Sequence, residues 1–147
     1  MIEENKKWKT PKDYLSQIKD LDNLINTHME SMSALKTRLY STSVELKADK
    51  TSGGSSFDFT EIIAKIDAME HEVDKEVDRL VRLRQEIENE IKSLDSNIQV
   101  LVLINYYIIG KSLIDISTEY NYGASYIKRV HGWALEAFKE KFPKKFE

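Results

Sequence analysis

A chain of 147 residues without cysteine has neither a disulfide framework nor a thiolate metal site. Hydrophobic residues make up 41% and charged residues 32%, with five Gly and two Pro, which favours long amphipathic helices over a sandwich or mixed sheet. The net charge of −3 is unevenly placed: from Lys111 onward seven Lys and Arg stand against five acids, so that segment is +2 and the remainder −5.

The amino-terminal MIEENKKWKTPKDY lacks the apolar core of a signal peptide. The longest apolar run, near Val100 to Ile109, is interrupted by Asn105 and falls short of the roughly 20 residues that span a bilayer. The expectation is a soluble cytoplasmic protein with no membrane partner.

Residues 1–9 are polar and expected to fray, with Trp8 their anchor. Thr10-Pro11-Lys12-Asp13 starts a helix: Thr suits the cap, Pro the first helical position, and an early acid suits the dipole. Leu15, Ile18, Ile25, Met29, Met32 and Leu39 recur at helical steps, and the pattern fades between Ser41 and Lys47.

Residues 50–57 contain a Gly/Ser loop. It has no preceding strand and no Gly-Lys-Ser/Thr, so it reads as a connection and not a phosphate cradle. Asp58 or Thr60 then caps a second long helix. Ile66, Val73, Leu80, Ile87, Leu94 and Leu101 repeat every seven residues, with Val77, Ile91 and Ile98 filling the alternate seam and Glu70 and Arg84 interrupting it. This heptad signal predicts a long antiparallel helical hairpin or coiled coil over residues 10–95, with helix two long enough to pair with a second protomer.

Asp95-Ser96-Asn97 marks a joint, where Ser96 can cap a fresh helix through Ile98, Leu101, Val102, Asn105 and Tyr106; a helix running straight across is the alternative. Gly110 ends it, with Lys111 supplying positive charge at its carboxyl end. Ser112 can cap the next helix, with Asp115 at the capping-box spacing and Leu113, Ile116 and Tyr120 on one side. Asn121-Tyr122-Gly123 breaks the pattern, Asn and Gly both tolerating left-handed backbone. The following helix puts Ile127, Val130, Ala134 and Phe138 on one side and Ser125, Lys128, Arg129 and Gly132 on the other, and it ends before Pro143. A helix-turn-helix over residues 96–147 has this layout, one face packing and the other offered to a DNA groove.

The run Tyr122-Gly-Ala-Ser-Tyr-Ile127-Lys-Arg129-Val-His131-Gly132-Trp-Ala134-Leu135 resembles the recognition helix of sigma-70 region 4. It is closer still to ArpU-like regulators encoded by phages of Gram-positive hosts, which join a helical hairpin to a region-4-like motif. Where that family commonly carries a Ser or Thr cap this chain has Gly123, and where it carries Arg the chain has Ala124, Ser125 and Trp133. Trp133 is then available to stack on a sugar or to pack into a protein interface, the latter being favoured.

The resemblance implies a phage or prophage transcriptional regulator that binds promoter DNA. Host RNA polymerase is a further implied partner, and the coiled coil would serve dimerisation or partner binding. Lys128 and Arg129 are the main candidate contacts, against the alternative of a plain solvated face; Arg can pair with guanine in bidentate fashion. Ser125 and Tyr126 lie in the first turn that enters a groove, and Lys111 completes the set. Gly132 costs roughly 1 kcal/mol relative to Ala within a helix, which suggests close approach by another backbone or by DNA.

His28, His71 and His131 lack the short spacings of a metal site, and no nucleophile–base pair or cofactor fingerprint occurs. No catalysis and no cofactor are expected. Two other readings stand: a small terminase subunit recognising packaging-site DNA, and a helical interaction protein that does not bind DNA.

Overall fold

The computed structural model describes the backbone of residues 6–48 and 55–147, and the side chains among them except those of 46–48 and 55–58. Within these residues the chain is all-α, with one isolated bridge between Trp8 and Phe146 and no strand. No helix among them is long and apolar enough to cross a membrane.

The first helix, α1, spans Pro11–Leu15. The Thr10 hydroxyl accepts from the Asp13 amide at 3.1 Å, and Pro11 sits where no amide partner is needed. Ser16 interrupts the dihedral pattern only briefly, since its amide reaches Lys12 O and its own carbonyl accepts from Asp20. Helix α2 then runs Gln17–Ala48 and α3 runs Ser55–Lys92. The Gly/Ser connection expected at 50–57 lies outside the described residues as far as Gly54. Helix α3 is under way by Ser55, a turn earlier than a cap at Asp58 or Thr60 allows.

Leu21–Leu80 form one compact unit; the N-terminal residues through Asp20 join Val81–Glu147 in the other. This division cuts both long helices. In the Leu21–Leu80 unit, His28 pairs with Glu76 and Lys36 with Glu70, so residue numbers rise on α2 as they fall on α3 and the helices run antiparallel.

Two residues expected in the seam are outside it. Met29 is 48% exposed and Val77 40%. The inner positions next to them are taken by His28 and by buried Glu76, so the α3 seam in this unit is Ile62, Ile66, Met69, Val73, Glu76 and Leu80. His28 Nδ1 lies 2.7 and 3.0 Å from the two Glu76 oxygens. A carboxylate only accepts, so Nδ1 carries the proton. Each polar group satisfies the other, which permits them a position that hydropathy alone assigns to Met29 and Val77.

In the other unit, α3 ends at Lys92, and Ser96 caps α4 (Asn97–Leu103), its hydroxyl accepting from Gln99 at 3.4 Å. The helix then widens into a π-helical turn, Ile104–Ile109, whose last bond runs from Gly110 N to Asn105 O at 3.0 Å. Gly110, at φ 94°, ends it in the left-handed region. Helix α5 (Leu113–Glu119) and helix α6 (Ala124–Lys141) follow, and α6 packs on α1, α4 and α5. Val102, Ile116, Ile127 and Val130 form a fully buried cluster, with Ile98, Leu101, Tyr106, Leu113 and Tyr126 against it.

Residues 6–9, expected to fray, are docked. Trp8 donates to Lys145 O at 2.8 Å and accepts from the Glu147 amide at 3.1 Å, while Lys7 donates to Lys144 O. Their reason is aromatic packing: Tyr14 lies 5.9 Å from Trp8, 5.7 Å from Phe138 and 6.2 Å from Phe146. The Tyr14 hydroxyl donates to Glu90, and Lys145 closes on the same carboxylate at 2.8 Å. Burial, then the bond to Glu90 and the nearby acids, pushes the Tyr14 hydroxyl well above its ordinary range.

Candidate nucleic-acid interface

The Ser112 hydroxyl accepts from the Asp115 amide at 3.1 Å and so fixes the start of α5. The turn to α6 uses one left-handed residue, Asn121 at φ 60°, and the Tyr122 amide closes it on Ser117 O at 2.9 Å. Gly123 does not share that conformation: its φ is −66°, and it caps α6 without any side-chain bond. The tolerance of Asn for left-handed backbone is what this turn uses.

Helix α6 is divided lengthwise. Ile127, Val130, Ala134 and Phe138 are fully buried, whereas Ser125, Lys128, Arg129 and Gly132 are exposed. A cleft of about 490 Å³ opens between the starts of α5 and α6. It is lined by Tyr106, Ser112, Leu113, Ile114, Ala124, Ser125 and Lys128. Two of the anticipated contacts, Ser125 and Lys128, therefore share a concave surface, with Arg129 beside them in sequence on the exposed side of the same helix.

The remaining candidates are placed differently. Tyr126 is half-buried against the core cluster, its ring 5.5 Å from that of Tyr122, so it serves packing as well as the surface. Lys111 is held by Glu119, Nζ to carboxylate at 2.6 Å, and this bond raises its pKa above the ordinary lysine value. To meet a phosphate it must leave Glu119. Gly132 has no heavy atom within 4 Å of where a Cβ would stand. Among the described residues, nothing outside its own helix backbone approaches there.

Sequence reasoning missed Ser112, Ile114, Ala124 and Tyr106 as cleft residues. Ile114 is 69% exposed, an apolar residue beside Leu113 but off the stripe that Leu113 and Ile116 pack into the core, which was a readable signal. Trp133 is 49% exposed and is not packed into the core of the chain.

Behind α6, the Tyr107 hydroxyl lies 2.8 Å from His131 Nε2, the rings stacked at 5.6 Å. Burial, and then the charge of Lys12, lowers the His131 pKa below its ordinary value. The neutral ring accepts the Tyr107 proton. Burial, then Tyr106, raises the Tyr107 hydroxyl above its ordinary range, which keeps it a donor. Asn105 fills the other side of the π turn: its side-chain amide donates to Leu101 O at 2.8 Å, and its backbone carbonyl accepts from Gly110 and Lys111.

No family model, curated protein or solved structure matches the chain.

Proposed function

We propose that the chain binds double-stranded DNA through α6, with α5 and α6 acting as a helix-turn-helix of the sigma-region-4 type. In this reading it is a phage or prophage transcriptional regulator, and the α2–α3 hairpin provides dimerisation or a partner contact. Ser125, Lys128 and Arg129 face the DNA. Lys128 and Arg129 reach phosphates or guanine edges, and Ser125 approaches from the first turn. The reading assigns no catalytic role to any residue.

One observation carries it: the side of α6 that carries Ser125, Lys128, Arg129 and Gly132 is left open along its length, while the opposite side is sealed into the core. A glycine with open space around it on that side admits a close neighbour from another molecule. The exposed Trp133 and Ile114 favour a second reading, a protein-binding surface, in which the cleft takes an apolar side chain.

Fluorescence anisotropy on duplex fragments from the protein's genomic neighbourhood, over a salt series, separates the two. The DNA reading expects one fragment to bind preferentially and the Lys128→Ala/Arg129→Ala variant to lose roughly 30-fold or more in affinity. Wild type and variant both failing to bind at low salt would remove DNA binding and leave the protein-binding reading. A ring-forming oligomer bound to packaging-site DNA would instead indicate a small terminase subunit.

A further inference from the structure

The Leu21–Leu80 unit has two flanks beside its seam, and they differ. One carries Lys36 and Glu70, joined at 3.3 Å and each about half exposed. Heptad steps from that pair place Met29 on α2 and Ile63 and Val77 on α3 along the same flank. All three are large, apolar and exposed: Met29 48%, Ile63 46%, Val77 40%. The opposite flank carries Ser31, Arg38, Lys65, Glu72 and Arg79, with exposed Leu24 its apolar exception among the described residues. Putting His28 and Glu76 inside has moved two hydrophobic side chains onto one outer strip.

We propose that this strip is a homodimer interface, two copies of the chain packing Met29–Lys36–Ile63–Glu70–Val77 against the same residues of the second copy. The occupant is a second copy because the strip is complementary to itself. A two-fold axis parallel to the helices lays α3 of one copy over α2 of the other at the same height, antiparallel. Val77 then covers Met29 of the second copy, and Glu70 meets Lys36 of the second copy, each twice by symmetry. The two in-chain ion pairs become a ring of four alternating charges above an apolar layer. A two-fold axis across the helices at the Lys36–Glu70 level would set Glu70 on Glu70 and Lys36 on Lys36, so charge selects the first arrangement.

From Ile63 to Val77 on α3 is two heptads, about 21 Å of helix. Across two helices, each about 10 Å wide, the strip offers roughly 400 Å² per partner, about half of the ~800 Å² that a standard stable interface buries. The dimer is therefore expected to dissociate on dilution. It refines the dimerisation part of the proposed function but does not rest on DNA binding, because its test contains no DNA.

The test is sedimentation velocity of the full chain across a concentration series. The wild type is expected to pass from monomer to dimer. Met29→Glu and Val77→Glu should each raise the dissociation constant by about tenfold or more, with helicity unchanged, while Leu24→Glu on the other flank moves it by roughly twofold or less. Lys36→Glu and Glu70→Lys chains should each be monomeric alone and form a mixed dimer when combined. In that mixture each copy still has like charges within itself, so recovery requires the contact between copies. A wild type monomeric throughout overturns the proposal, as does a mixture no more associated than its components. A dimer that resists Val77→Glu, or that Leu24→Glu weakens equally, also overturns it.

Discussion

Glu76 is the clearest case of a residue whose place depends on one partner. Buried on α3, it is acceptable there because the His28 ring donates to it from α2. Glu76→Ala should cost about 1–3 kcal/mol, since it strands the imidazole donor beside an apolar seam. The double change His28→Leu/Glu76→Leu should recover most of that or exceed the wild type, because a hydrophobic pair of similar volume carries no desolvation penalty. Urea unfolding monitored by circular dichroism measures both. Losses of His28→Leu and Glu76→Leu that simply add in the double variant would mean the two residues are not coupled. Phe138 behaves differently: fully buried and 4.9 Å from Phe142, it should cost about 3–5 kcal/mol on Phe138→Ala whatever its neighbours carry.

At the scale of elements, helix ends were legible and helix interiors less so. Thr10, Ser96 and Ser112 cap where their side chains and spacing indicate, and Gly110 terminates where only a residue tolerant of positive φ fits. Gly110→Ala should destabilise by about 1–2 kcal/mol through its left-handed backbone, with no clash, as the space around it is open. The buried stripe of α6 was legible too, because four apolar residues at helical spacing admit one inward side. The seam of α3 was read one step away on one side, since hydropathy ranks Val77 above Glu76 and cannot see His28 across the gap. The π-helical turn left no trace in INYYII, and the docking of Trp8 depends on Phe146 at the far end of the chain. What the open side of α6 touches is not a property of the fold, so no packing pattern could reveal it.

The Tyr107–His131 bond ties the π turn to α6 and makes the unit pH-sensitive. The folded His131 pKa is lowered, so below the ordinary value near 6.5 the unfolded chain takes up a proton that the folded chain refuses. Stability contributed by neutral His131 is thus complete above about pH 6.5 and declines as pH falls toward the depressed folded pKa. Thermal melts between about pH 5 and 8 should show wild type losing stability over that window more steeply than His131→Gln. Parallel profiles for the two proteins would place the proton uptake elsewhere.

On the scale of the whole molecule, charge decides how strongly a DNA interface can act. The segment from Lys111 onward is +2 and the rest −5, so the molecule as a whole repels a duplex and only local cations attract it. Lys111 is occupied by Glu119 and Lys145 by Glu90, which removes two of the seven cations of that segment from easy use. On the proposed DNA reading, Lys128 and Arg129 with one or two more cations from the end of α6 would neutralise about three or four phosphates. The logarithm of the association constant should then fall against the logarithm of salt concentration with a slope of about −3 to −4. Lys128→Ala should flatten that slope by about one and weaken all duplexes alike if the lysine meets a phosphate. Arg129→Ala should instead erode the preference for one fragment if it reads a guanine edge. Glu119→Gln releases Lys111 and removes an acid beside the turn, so it should steepen the slope and tighten binding. A slope near −7 in the wild type would mean that the ion pairs at Lys111 and Lys145 break on binding, and that the interface extends well beyond α6.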